Sequence, residues 1–255
     1  MNASITGFAI FVSFAATAVG QTPDHTLYFT NRDSQQGMQE ATNEIRAVTE
    51  IPAVPDFAQR TLSLHGTAAQ IALAEWLFNQ LDRPAAQQTT APKYDYLLPN
   101  GKTEIVSLFY FSHATTPQAI QETINAVRAI TELTRIMPDN ERHAMVARGS
   151  IERMGLAEWI FHQLDQEAPP AQQVQEYRLP PGVDPVNADA ARVFYLSHIT
   201  NPQDLQRVLN TMRSTTQITR IMPYSRLNAF VLRATDIQVA QAEQLVRQLD
   251  KPTVQ

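Results

Sequence analysis

The chain has 255 residues, 44% of them hydrophobic and 18% charged, which excludes wholesale disorder and supplies apolar material for several small cores. Its formal net charge is −5 and it has no Lys/Arg cluster that could neutralise a run of phosphates, so neither nucleic acid nor an anionic membrane surface is an expected partner. The absence of cysteine excludes disulfides, thiolate metal sites and cysteine nucleophiles.

From the N-terminus, Ile5 to Val19 is an apolar run followed by small residues, and Ala16-Thr17-Ala18 has the form of a signal-peptidase site. The sequence therefore predicts a signal peptide over residues 1–20 and export of the rest. No Lys or Arg precedes the run, and cleavage after Gly20 is the alternative. The run is shorter than the roughly 20 apolar residues of a spanning helix, and no other segment approaches that length.

The remainder is built from repeats. Phe109 to Asp165 aligns without a gap on Phe194 to Asp250, with 24 of 57 pairs identical. The shared pieces are Tyr110-Phe111-Ser112-His113 with Tyr195-Leu196-Ser197-His198, Thr134-Arg135-Ile136-Met137-Pro138 with Thr219-Arg220-Ile221-Met222-Pro223, and Gln163-Leu164-Asp165 with Gln248-Leu249-Asp250. An earlier copy opens at Tyr28-Phe29-Thr30-Asn31 and closes with Leu73-Ala74-Glu75-Trp76-Leu77-Phe78, the counterpart of Leu156-Ala157-Glu158-Trp159-Ile160-Phe161. This predicts modules at 26–84, 107–165 and 192–252. Pro/Ala/Gln-rich connectors are expected at 85–106 and 166–191, each carrying a matching Tyr96-Leu97-Leu98-Pro99 or Tyr177-Arg178-Leu179-Pro180. That shared tetrapeptide predicts a short extended contact between connector and following module.

Within the third copy, Arg192 to Ile199 reads as a strand. Asn201 caps a helix with Pro202 at its first position and an apolar stripe of Leu205, Val208, Leu209 and Met212. Gln217 to Met222 and Leu227 to Ala234 read as two strands around a turn at Pro223-Tyr224-Ser225-Arg226. Thr235 or Asp236 then caps a last helix whose stripe is Val239, Ala242, Leu245, Val246 and Leu249. The expected fold class is α+β, three tandem β-α-β-β-α modules of a size at which a core is marginal alone.

The element order, the opening strand with its Tyr195-Leu196-Ser197-His198, the third strand Leu227 to Ala234 and the ending Val246-Arg247-Gln248-Leu249-Asp250-Lys251-Pro252 resemble the periplasmic N-terminal modules of bacterial secretins. The third copy carries the resemblance best. It implies a KH-like fold, a place in the periplasm and contacts with protein partners in ring assemblies, with no catalytic activity. The strand-rich region that forms the secretin pore has no counterpart in this sequence. The G-x-x-G loop with which true KH domains clamp phosphates is also missing.

No residue pattern argues for chemistry. The six histidines lack the helical spacing of a zinc site, so no metal is expected. His113 and His198 share a position at which the first copy has Asn31, which suits a turn-capping polar residue. Glu75, Glu158 and Glu243, and likewise Asp82, Asp165 and Asp250, recur once per copy and have no recurring partner, as structural residues do. No nucleophile elbow, Walker loop or dinucleotide fingerprint is present, so the chain reads as no enzyme and no cofactor is expected. The candidate protein-contact residues are Leu73, Trp76, Leu156 and Trp159 on the last helices of the first two copies, where the third has Gln241 and Gln244. Such an apolar face should be covered by the next module, a connector or a partner, with the third copy as polar cap. The expected function is a non-catalytic exported scaffold or adaptor in a secretion or pilus-related envelope complex, partnered by an envelope protein or by itself. The alternative is a periplasmic protein that binds a small ligand or glycan between modules.

Overall fold

The computed structural model describes residues 25–84, 92–183 and 188–252. The expected signal peptide, residues 1–20, lies outside them. The first unit runs β1 (His25–Tyr28), α1 (Gln35–Thr49), β2 (Ala53–Asp56), β3 (Thr61–Leu64) and α2 (Ala68–Leu81), with sheet order β1-β3-β2. The second comprises β4 (Lys93–Leu97), β5 (Thr103–Tyr110), α3 (Pro117–Thr131), β6 (Arg135–Asp139), β7 (Ala144–Ser150) and α4 (Ile151–Leu164), in the order β4-β5-β7-β6. The third comprises β8 (Val174–Arg178), β9 (Ala190–Tyr195), α5 (Pro202–Thr216), β10 (Arg220–Tyr224), β11 (Ala229–Ala234) and α6 (Asp236–Leu249), in the order β10-β11-β9-β8. The fold is α+β, and all strand pairs are antiparallel.

Both expected connectors contain a strand of the sheet that follows. β4 pairs with β5, placing Tyr94 opposite Val106 and Tyr96 opposite Glu104, and β8 pairs with β9, placing Glu176 opposite Arg192. The second and third sheets thus have four strands where the sequence suggested three. β4 alternates exposed and covered residues, a period-2 pattern that its Pro/Ala/Gln flanks obscure.

The helix starts follow their caps. Ser34, Thr116 and Asn201 side chains accept amides at the starts of α1, α3 and α5, and Thr67, Ser150 and Thr235 do so at α2, α4 and α6. The first helix of every unit ends in a left-handed residue, Glu50, Glu132 or Gln217. In each, the preceding threonine donates its hydroxyl back to the carbonyl of Ile45, Val127 or Met212. The turn in the third unit comes later than the sequence suggested. Pro223 and Tyr224 continue β10, and the reversal is a 3-10 turn, Ser225–Leu227, closed by left-handed Asn228. Proline is tolerated there because β10 is an edge strand.

Each sheet packs one face on its own two helices. The opposite face of the second sheet, Val106, Leu108, Val146 and, at its rim, Tyr110 and Met137, belongs to the core of α1 and α2. The same face of the third sheet, Ala191, Val193, Tyr195, Ala229, Val231 and Tyr224, belongs to the core of α3 and α4. α1 lies chiefly against β6, and α3 against β10. The units are therefore stacked helix-on-sheet, and β9 and β11 are covered on both faces, with Arg192 and Arg233 as their one charged residue each. Val239, Ala242, Phe230 and their neighbours form a core confined to the third unit.

Candidate protein-contact site

The four residues singled out in the sequence lie inside the stack. Leu73 and Leu156 are fully buried. Trp76 is half-buried with its ring 5.2 Å from Tyr94 of β4, and Trp159 is 5.6 Å from Tyr177 of β8. Of the three covers anticipated for this face, the connector strand is the one the structure supplies. Gln241 and Gln244 of α6 are exposed, and no further strand follows them among the described residues.

The recurring acids have structural partners. Asp82 accepts the amides of Thr30, Asn31 and Arg32 at 2.8 to 3.1 Å. Asp165 holds those of Ser112, His113 and Ala114, and Asp250 those of Ser197, His198 and Ile199. Each carboxylate staples the end of the last helix to the loop after the first strand through three charge-assisted bonds. The histidines at this loop contribute a backbone amide to the same staple. Glu75, Glu158 and Glu243, which the sequence left without recurring partners, do have them: His25 at 2.7 Å, Lys93 at 2.7 Å, and Arg192. Arg192 repeats the register of His25, while Lys93 reaches the same spot from the neighbouring strand β4, opposite Ser107. That substitution across strands hides the recurrence from a linear alignment.

The geometry that recurs between units is a joint. Arg135 at the start of β6 pairs with Glu50 at the end of α1, 2.8 Å away, and Arg220 of β10 pairs with Glu132 at the end of α3 at the same distance. Buried Arg148 donates to the carbonyl of Val48 at 2.6 Å and lies over the Tyr96 ring, while buried Arg233 donates to the carbonyl of Ile130 at 3.2 Å. These cations meet carbonyls left open at a helix C-terminus. Tyr195 donates its hydroxyl to the carbonyl of Gln163, and burial pushes its pKa far above the ordinary tyrosine value. The shared Thr-Arg-Ile-Met-Pro motif is thereby explained. Its arginine grips the preceding helix end, its isoleucine enters the home core, and its methionine packs on the preceding unit.

The first joint also holds buried charge. Arg32, with no exposed side-chain surface, pairs with Asp139 and donates to the carbonyls of Leu81 and Gly37. Glu44 of α1 is fully buried in the same cluster, and neither carboxylate oxygen has a hydrogen-bond partner. Desolvation, reinforced by Asp139 and opposed by Arg32, raises its pKa well above the carboxylate range. Burial also pushes Asp139 upward, against the pull of Arg32.

No group of metal-ligating side chains occurs among the described residues. A shallow cavity of about 640 Å³ opens at the first joint, between Glu50, Gln70, Leu97, Gly101 and Arg148. Arg148 is already engaged there by Glu104 at 2.6 Å. No helix among the described residues is long and apolar enough to cross a membrane.

Tandem α+β units that spend their recurring residues on staples and joints define a stacked-module protein. Residues 191–255, from β9 onward, match the family model described as "Bacterial type II/III secretion system short domain". The resemblance carried best by the third copy is thus shown for that copy. Among solved structures, the chain is similar to the N-terminal domain of the secretin XcpQ from Pseudomonas aeruginosa, at 12% identity and a TM-score of 0.28, covering 90% of this chain and 100% of that one. It is similar to Aeromonas hydrophila ExeD at 13% identity and a TM-score of 0.21, covering 90% of this chain and 41% of that one. The Klebsiella pneumoniae type II secretion system outer membrane complex is matched at 14% identity and a TM-score of 0.21, covering 95% of this chain and 36% of that one. The chain therefore spans well under half the length of ExeD. No curated protein matches it in sequence.

Proposed function

We propose that this chain is a non-catalytic scaffold or adaptor, exported to the periplasm, whose secretin-like units make protein contacts within a secretion or pilus-related envelope complex. The observation that carries the proposal is the match of residues 191–255 to a secretion-system domain. The use made of the residues that recur between copies supports it. Carboxylates and arginines that recur in the sequence serve staples and joints, which is what a rigid spacer needs. The boundaries 26–84, 107–165 and 192–252 are proposed as the repeating units, with β4 and β8 added to the second and third. Because Leu73, Trp76, Leu156 and Trp159 are covered from within, partner contacts are proposed for the two ends of the stack.

Fractionation of cells that produce the chain, combined with mass spectrometry of its N-terminus, tests this reading. The expected result is a processed chain in the periplasmic fraction that co-purifies with a secretin-type outer-membrane complex from solubilised envelope. An unprocessed chain confined to the cytosol would refute it.

A further inference from the structure

Among the described residues, the first sheet lacks a strand that the other two have. β4 and β8 pair antiparallel with β5 and β9 and cover the outer edge of the strand that opens the second and third units. β1 opens the first unit with that edge unpaired among the described residues. The phase of its pairing shows which groups are left. The Phe29 amide donates to the Arg60 carbonyl at 2.8 Å, so His25 and Leu27 also turn their backbone groups to β3, and those of Thr26 and Tyr28 point to the open edge. The equivalent groups are taken in the later units. Leu108, the counterpart of Thr26, donates its amide to the carbonyl of Pro92 at 3.2 Å, and Tyr195, the counterpart of Tyr28, donates to that of Gln173 at 2.8 Å.

Every other sheet edge among the described residues is guarded. β2, β6 and β10 carry Pro55, Pro138 and Pro223 at one equivalent position. β4 carries Lys93 and Asp95, and β8 carries Glu176 and Arg178. Proline and charge on an edge strand oppose the addition of a further strand. β1, His25-Thr26-Leu27-Tyr28, has neither a proline nor a permanently charged side chain. The edge that two copies fill with a strand of their own is thus the one edge left open to another.

A glutamate beside that slot specifies one residue of the occupant. Glu158 has Lys93 at 2.7 Å, reaching it from the added strand, and Glu243 has Arg192 of its own opening strand. Glu75 has His25 at 2.7 Å, a partner that is charged only when protonated. Lys93 lies opposite Ser107, the counterpart of His25, so a lysine or arginine at that place in an added strand reaches Glu75 as Lys93 reaches Glu158. The place of Lys93 is Glu176 in the third unit. Two residues before it, Val174 lies opposite Phe194, the counterpart of Leu27, and packs on the core of that unit. The slot therefore suits the pattern apolar, any, basic. A second copy paired through its own β1 brings no permanent cation to Glu75.

We propose that the outer edge of β1 is a docking site for an extended segment of a partner protein, which adds antiparallel as a fourth strand with a lysine or arginine opposite His25 and an apolar residue opposite Leu27. Main-chain bonds to Thr26 and Tyr28 supply the attachment, and the alternate side chains supply the choice of partner. This rests on the reading that partners meet the ends of the stack, and it names what the first end takes. The two fail separately. An unprocessed cytosolic chain would refute the envelope role without touching β1, and failure of a strand to bind would leave that role as it stands.

The probe is a fluorescently labelled peptide of residues 172–178 carrying Glu176→Lys, which sets a basic residue two places after Val174, titrated into the full chain beside the unaltered peptide. Fluorescence anisotropy should show saturable binding below about 1 mM, about three- to tenfold tighter for the Glu176→Lys peptide. Hydrogen exchange of the Thr26 and Tyr28 amides should slow on saturation, while that of Leu108 and Tyr195 should not change. Thr26→Pro removes an outward-pointing donor and leaves the β3 pairing, and should weaken binding about tenfold. N-methylation of the peptide at Gln175, whose backbone faces β9 in the third unit, should do the same with the protein untouched. Glu75→Gln should remove the preference between the two peptides. No saturable binding by about 1 mM, or binding indifferent to both Thr26→Pro and the N-methyl group, would overturn the proposal. So would Thr26 and Tyr28 amides already protected in the free chain, whether by its own residues before His25 or by a second copy.

Discussion

The first joint and the second are built on one plan yet treat charge in opposite ways. In each, an edge-strand arginine grips a left-handed glutamate and a buried arginine caps a helix C-terminus. Between these contacts the second joint is apolar, with Ala126 on α3 and Tyr224 on β10. The first places Glu44 and Asp139 at the same positions and adds Arg32 where the second unit has Ala114. A buried ion pair costs desolvation of both members, and a third charge without a partner adds to that cost. The difference teaches that the stack is not uniform: the second joint holds by packing, and the first encloses charged side chains.

The comparison can be broken most severely from either side. Arg32→Ala leaves Asp139 buried without its counter-charge and should destabilise the first joint by about 3–5 kcal/mol. Hydrogen exchange of α1 and β6 should report that loss while α5 and β11 keep their protection. Ala126→Glu imports the first joint's charge into the second without an Arg32 equivalent. It should cost about 3 kcal/mol or more in urea unfolding, through an unpaired buried carboxylate.

A smaller effect follows from acid-base linkage. The folded-state pKa of Glu44 is raised, so its contribution is full below the ordinary carboxylate value and is lost as pH rises through the folded value. The first joint should therefore weaken as pH rises above the ordinary carboxylate range, read as lower protection of the α1 amides. Glu44→Gln should flatten that dependence, and an unchanged pH profile in the variant would show that Glu44 does not cause it. Asp165→Asn keeps one acceptor of the staple to Ser112, His113 and Ala114 but removes the charge, and should cost about 1–2 kcal/mol in thermal unfolding. The smallest effect belongs to Arg135→Ala, since Glu50 is half exposed and such pairs contribute at most about 1 kcal/mol.

Legibility in the sequence followed the range of the interactions. The element order, the capping by Asn201 and Thr235 and the exposure of Gln241 and Gln244 come from neighbours in the chain, and the copies repeat them. The Trp-to-Tyr contacts were half visible: the cost of leaving Trp76 and Trp159 in water called for a cover, but Tyr94 and Tyr177 sit in segments whose composition reads as linker. The role of Asp82, Asp165 and Asp250 was hidden because their partners are backbone amides, which carry no side-chain signature. The stacking was legible only in the strands: apart from Arg192 and Arg233, β9 and β11 are apolar on both faces, unlike a sheet with one wet face, while the first sheet exposes Thr26, Tyr28 and Val54. The charged cluster at the first joint could have been suspected from Glu44, a lone acid at a helix position where the other copies have Ala126 and Thr211.

The central claim is that the sheet of each later unit is buried on its second face by the helices of the unit before it. Hydrogen exchange of the β11 amides, compared between the full chain and residues 174–252 alone, which keep all four strands of the third sheet, tests it most directly. Stacking predicts that Phe230, Val231 and Leu232 exchange at least about a hundredfold faster in the isolated unit, where Val193, Tyr195 and Val231 face water. Equal protection in the two would contradict the account and make the units independent beads.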